Sequence, residues 1–221
     1  MKHIALLTTL LLSASLQAVE KPYDYVFFEN SLMKGDYFYS QAKYTSPSWI
    51  KNARHHLPVA GSVAFTPGNS LELTYVSAPG GDWYSEIQYC PVRGNDFFRE
   101  PSTLSLQVQL RESMNAAALP NIAIRYADST YTQYLNLRNY LKDTRPGVWH
   151  SVSIPLKDFG LNAVNDTNIK KLAAVALRPG TADGNEYTIY LDDIELLPAS
   201  LPSVSALNAP VLQEAKAYER H

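Results

Sequence analysis

The chain has 221 residues, with 19 Lys and Arg against 21 Asp and Glu and a formal net charge of -2. No electrostatic excess is available to hold nucleic acid or anionic lipid. A hydrophobic fraction of 46% against 18% charged residues excludes global disorder, and the single Cys90 excludes a disulfide framework or a Cys-rich zinc site.

Residues 1–18 read as a secretory signal peptide: basic Lys2 and His3, an apolar run from Ile4 to Leu12, and a small-residue end at Leu16-Gln17-Ala18. The run is too short to span a membrane, and no other segment approaches the roughly 20 apolar residues a span needs. The expected mature protein is therefore soluble and secreted, periplasmic or displayed at the cell surface.

From residue 25 to residue 197, about ten short runs rich in β-branched and aromatic residues alternate with Gly, Pro, Asn and Asp. They cover 25–29, 62–66, 70–77, 83–89, 104–110, 121–126, 131–137, 148–155, 172–178 and 186–196. Turn chemistry separates them, as in Thr66-Pro67-Gly68-Asn69, Ala78-Pro79-Gly80-Gly81-Asp82 and Arg178-Pro179-Gly180. Stretches 47–53, 158–162 and 165–171 have room for a helical turn or two, but no stretch sustains a 3.6-residue period. The fold class is all-β, with two antiparallel sheets packed face to face over residues 19–197. Residues 198–221 open on Pro198-Ala199-Ser200-Leu201-Pro202-Ser203, which is linker chemistry, and end in a short segment without a partner.

Period-2 alternation assigns faces. Trp83, Ile87 and Tyr89 form an apolar set opposite Tyr84, Glu86 and Gln88. Leu104, Leu106, Val108 and Leu110 oppose Gln107 and Gln109; Ile122, Ile124 and Tyr126 oppose Arg125; Tyr131, Leu135 and Leu137 oppose Tyr134, Asn136 and Arg138. If these strands are neighbours in one sheet, its outer face displays Tyr84, Glu86, Gln88, Gln107, Gln109, Arg125, Tyr134, Asn136 and Arg138. Aromatic rings stack on the C–H face of a pyranose, and carboxylate, amide and guanidinium groups pair with its hydroxyls. An ordinary solvated sheet face is also polar, but Lys and Glu normally dominate it. Further aromatics at Tyr37, Phe38, Tyr39, Tyr44 and Trp49 fall in loop-like sequence, where they meet a ligand or plug the sandwich ends.

The last run, Tyr190-Leu191-Asp192-Asp193-Ile194-Glu195-Leu196, places three acids on a core strand. Asp192 shares parity with Ile194 and Leu196 and so is expected to point inward. A buried carboxylate needs a partner, and a hard cation such as Ca2+ supplies one; Glu29, at the end of the first strand, is the natural opposite ligand because first and last strands commonly pair. A terminal strand running out into solvent carries the same acids equally well. Catalytic chemistry is less well supported. Glu86 stands alone on its strand, and no acid pair has the spacing that glycoside hydrolysis requires.

The motifs Phe28-Glu29-Asn30-Ser31, Phe65-Thr66-Pro67-Gly68-Asn69-Ser70-Leu71-Glu72-Leu73, Ser77-Ala78-Pro79-Gly80-Gly81-Asp82-Trp83, Ile154-Pro155-Leu156-Lys157-Asp158-Phe159 and the Asp192-Asp193-Ile194 ending together resemble a galactose-binding-like, jelly-roll β-sandwich. Such domains occur as carbohydrate-binding modules at the N-terminus of secreted multidomain glycanases. The resemblance implies a non-catalytic module that recognises a polysaccharide or oligosaccharide and serves an adjoining catalytic domain. It also implies a structural calcium held by Glu29 with Asp192 or Asp193. A jelly-roll polysaccharide lyase or glycoside hydrolase, and a purely structural spacer, are the other two readings.

Overall fold

The computed structural model describes residues 25–90, 101–161 and 171–198. The expected signal peptide and most of the expected linker and tail lie outside them. Twelve strands are described: β1 Tyr25–Phe28, β2 Ser40–Thr45, β3 Trp49–Ile50, β4 Val59–Ala60, β5 Ser70–Val76, β6 Asp82–Gln88, β7 Pro101–Leu110, β8 Asn121–Tyr126, β9 Leu135–Asn136, β10 Trp149–Pro155, β11 Leu172–Arg178 and β12 Glu186–Pro198. The sandwich pairs a sheet in the order β10-β7-β12-β5-β3, with β1 on β12 and β4 on β5, against a sheet in the order β2-β6-β11-β8-β9.

The alternating apolar sets close the core between the sheets. Leu104, Leu106, Val108 and Leu110 of β7 are buried, as are Leu71, Leu73 and Tyr75 of β5; from the other sheet come Trp83 and Ile87, Ile122 and Ile124, and Val175 and Leu177. Trp83 satisfies its indole by donating to Ser77 Oγ at 2.9 Å while its ring packs 4.8 Å from Tyr75.

Two expected strands differ. Residues 62–66 form bends rather than a strand, because they loop over β12 and hydrogen-bond to a side chain there. Of residues 131–137 only β9 and a single bridge from Tyr131 to Arg125 pair with β8; Asn136 accepts from Arg138 N and turns the chain into a three-residue 3-10 turn, Leu137–Asn139. Residues 47–53 carry β3 instead of a helical turn, and a 3-10 turn at Leu156–Phe159 replaces the one expected at 158–162. Most of 165–171 falls outside the described residues.

The turn into β6 depends on Gly81. A Cβ built there would sit 2.2 Å from Ser48 N and 2.7 Å from Thr45 O, both backbone atoms that cannot swing away. Gly81→Ala is therefore expected to cost about 1–3 kcal/mol in urea unfolding. A loss below a few tenths would mean the β2–β3 backbone yields.

Candidate functional site

The outer face of the five-stranded sheet carries a groove of about 570 Å³. Its walls come from four strands and one loop: Gln41 and Lys43 of β2, Tyr84 and Glu86 of β6, Arg178 of β11, Arg125 of β8, and Ser129 and Tyr131 beyond it.

The floor explains how these groups meet. In β11, Ala174 pairs with Gln88 and Arg125, and Ala176 pairs with Glu86 and Ala123. Strands β6 and β8 stand two interstrand steps apart, about 9.5 Å, and only methyl groups occupy β11 between them. Glu86 and Arg125 reach over those methyls, with Arg125 Nε 2.5 Å from Glu86 Oε1. Ala123, Ala174 and Ala176 consequently show no exposed surface although they lie on the outer face.

The pair is tied into an aromatic rim. Tyr131 OH donates to Glu86 Oε1 at 3.2 Å and lies 3.1 Å from Tyr84 OH. The Arg178 guanidinium stands 5.5 Å from the Tyr84 ring and 5.8 Å from the Tyr134 ring, with Asp82 Oδ2 at 3.2 Å. Tyr131 and Tyr134 stack at 6.0 Å. Burial raises both phenols above their usual range, with nearby Glu86 adding to the shift, so both remain neutral hydrogen-bond donors at physiological pH. The result is a set of fixed acceptors and planar donors beside phenol rings, which suits a ligand with many hydroxyls and an apolar C–H face.

A second depression of about 290 Å³ adjoins the groove and shares Lys43 and Tyr84 with it; Tyr44, Thr45, Asp82 and Trp83 also line it.

Of the residues expected on one face, Tyr84, Glu86, Gln88 and Arg125 share the groove face, and Tyr134 joins through Arg178. Gln107 and Gln109 do not: β7 belongs to the seven-stranded sheet and pairs with β10 and β12, so both amides lie on the far side of the sandwich. Alternation assigns a face to each strand without saying which sheet contains it. Asn136 caps the 3-10 turn and donates to Leu119 O and Asn121 Oδ1, a structural role, and Arg138 is exposed on that turn. Tyr131, in the apolar set by parity, is a groove residue instead, because it bridges Arg125 of β8 and directly opposed residues share a face. Strand alternation in the sequence does not point to Gln41, Lys43, Ser129 or Arg178, which the fold brings into the groove. The cue available for Arg178 was the Ala174 and Ala176 alternation on its strand, which opens space on that face.

The acids of β12 are arranged differently from expectation. β1 does pair with β12, Phe28 opposite Ile194, which brings Glu29 toward this region. Asp193, however, has φ +44° and sits in a register shift between Asp192 and Glu195. The bulge changes the parity, so Asp192 alternates with core residues Ile189 and Leu191 and faces outward, buried under residues 65–66 rather than in the core. Its Oδ2 accepts from Phe65 N at 2.8 Å and Thr66 N at 3.2 Å, its Oδ1 accepts from Asp193 N at 2.9 Å, and Thr66 Oγ1 donates to Asp193 Oδ2 at 2.8 Å.

Backbone N–H groups of Phe65, Thr66 and Asp193 thus reach both oxygens of Asp192, which anchors residues 65–66 onto β12. Melting in Ca2+ and in chelator checks this directly. Matching Tm values are expected from the anchor, and a rise of several degrees in Ca2+ would give Glu29, Asp192 and Asp193 a metal role.

Burial, reinforced by Asp193, pushes Asp192 up to about 6 from an ordinary 3.8. The folded chain then holds this proton more tightly than the unfolded one, so the associated stability is complete below about pH 4 and lost as pH rises through about 6. Denaturant unfolding at pH 5 and pH 7 is expected to show a smaller loss of stability for Asp192→Asn than for the parent. Identical losses would remove Asp192 as the source.

The family model for carbohydrate binding domain 30 matches residues 24–197. The chain belongs to that family. Two solved carbohydrate binding domain 30 modules share the fold. One, from a cellulosomal cellulase of Clostridium thermocellum, superposes with a TM-score of 0.55 at 15% identity over 80% of this chain and 98% of its own; a second gives 0.54 at 17% identity over 81% and 91%. A Parabacteroides distasonis protein named exo beta-1,2-glucooligosaccharide sophorohydrolase (non-reducing end) is 98% identical over all 221 residues. A crystal structure of beta-1,2-glucanase from that organism, also 98% identical, superposes at 0.81 over 84% of this chain and 27% of that one. The carbohydrate binding domain 30 chain described here thus spans 31% of the length of the curated relative it matches.

Proposed function

We propose that the groove on the five-stranded sheet binds a gluco-oligosaccharide, β-1,2-linked, and that the module serves an adjoining glucan-degrading catalytic domain in a longer secreted protein. The observation that carries the groove assignment is the Glu86–Arg125 pair held over the alanine floor and framed by Tyr84, Tyr131 and Tyr134. The linkage and the catalytic neighbour are supported by the names and lengths of the 98% identical relatives. Secretion is supported by the signal-like residues 1–18.

Glu86 is the single carboxylate among the groove residues and is committed to Arg125, whereas glycoside hydrolysis normally uses two. Affinity electrophoresis and calorimetry with β-1,2-, β-1,3- and β-1,4-glucans, with reducing ends followed in parallel, test the reading. Retardation strongest on β-1,2-glucan without product release is the expected result. Product release would favour an enzyme, and absence of binding to the whole panel would favour a spacer.

A further inference from the structure

We infer that the second depression is a further sugar subsite of the groove, and that the exposed Tyr44 ring within it recognises the turn of a β-1,2-linked chain; this rests on the groove being the glucan site. The depression is lined by three consecutive rungs of the β2–β6 ladder: Lys43 opposite Tyr84, Tyr44 opposite Trp83, and Thr45 opposite Asp82. The first of these rungs also lines the groove, so the two spaces meet there.

Tyr44 has the parity of Ser40 and Ala42, which are buried, yet it is 53% exposed, because β2 is the outermost strand of its sheet and residue 44 lies near its end. Among the described residues its ring stacks on no other ring and its hydroxyl makes no hydrogen bond, so core packing does not employ it. The backbone beneath it is fixed. The opposed Trp83 is buried, Asp82 N donates to Thr45 Oγ1 at 3.1 Å, and the turn before β6 packs on Thr45 O closely enough that only Gly81 fits. Polar groups surround the ring: Asp82 gives one oxygen, Oδ2, to Arg178 and keeps the other as an acceptor, while Lys43, with no ion pair among the described residues, offers its N–H donors at the junction with the groove. A held ring between a carboxylate and an ammonium matches a pyranose, whose C–H face stacks and whose hydroxyls both donate and accept.

The direction of the subsite distinguishes linkages. The groove crosses the sheet from β8 through β11 and β6 to β2, three interstrand steps or about 14 Å, whereas the depression continues along the β2–β6 ladder, about 7 Å from residue 43 to residue 45. Interstrand and strand directions are perpendicular, so the combined path turns a corner at the Lys43–Tyr84 rung. In a β-1,2-linked chain the bonds entering and leaving each ring stand on neighbouring carbons, and the chain turns at every unit. In a β-1,4-linked chain they stand on opposite sides of the ring, and the chain runs straight on past β2. A bent chain therefore reaches Tyr44, and a straight one leaves it uncovered.

Calorimetry of the 221-residue chain with β-1,2- and β-1,4-linked gluco-oligosaccharides of increasing length tests the inference. For the parent, affinity should rise with length more steeply in the β-1,2 series than in the β-1,4 series. Tyr44→Ala should lower affinity for the long β-1,2 oligosaccharides at least about tenfold, change that of the shortest one that binds by less than about twofold, and leave Tm unchanged because the ring is exposed. Tyr44→Phe should behave as the parent, since it keeps the stacking face. Equal losses at every length, no loss at any length, equal losses in both linkage series, or a Phe variant as weak as the Ala variant would each overturn the inference. Failure of the groove reading has a separate signature: Glu86→Ala would then leave the affinity of the shortest ligand unchanged.

Discussion

Glu86→Ala is expected to lower glucan affinity at least about tenfold and to destabilise the fold by about 2–4 kcal/mol. The Glu86 side chain is 5% exposed and that of Arg125 15%, so both charges have given up much of their hydration and rely on each other. Removing the carboxylate leaves the guanidinium facing alanine methyls, and it also takes away the acceptor that orients Tyr131. Arg125→Ala should cost a similar amount for the mirror-image reason. The double substitution should cost clearly less than the two singles combined, with a coupling of about 1–3 kcal/mol, because neither charge is then stranded. Urea unfolding of the four proteins gives the cycle. Additive losses would show that the two groups do not depend on each other, and unchanged affinity in all four would place the ligand elsewhere.

Trp83→Ala is expected to cost about 3–5 kcal/mol. The ring is fully buried, packs on Tyr75 across the sandwich and donates its N–H to Ser77, so truncation leaves a large cavity and a hydroxyl without its donor. Trp83 also precedes Tyr84, and Glu86 follows on the same strand, which makes β6 the element that ties core packing to groove geometry. A conservative Trp83→Phe should retain most of the stability and glucan affinity. Loss of affinity in Trp83→Phe without loss of stability would mean that strand position, rather than core filling, is the sensitive quantity.

The architecture could be read from the chain because each strand carries its own evidence. β8 and β11 coincide with the expected runs, and β5, β6, β7, β10 and β12 lie within a few residues of theirs. In β6, β7 and β8 the alternation of apolar and polar residues correctly separates core from surface, since a side chain's face depends only on its neighbours along the strand. Where the chain bends, that local rule fails. A register shift at Asp193 turned Asp192 outward, and the turn after Asn136 removed Arg138 from the sheet.

Which strands lie side by side is a long-range property, set by how β7 and β12 pair across about 80 residues of intervening chain. Local alternation carries no trace of it. Fold class, buried faces and the chemistry of Tyr84, Glu86 and Arg125 were thus written into short stretches of residues. The tertiary structure alone sent Gln107 and Gln109 to the opposite sheet, brought Lys43, Tyr131 and Arg178 into the groove, and placed Glu86 against Arg125. That last contact exists because β11, inserted between their strands, offers methyl groups at positions 174 and 176 and leaves the two charges free to meet above it.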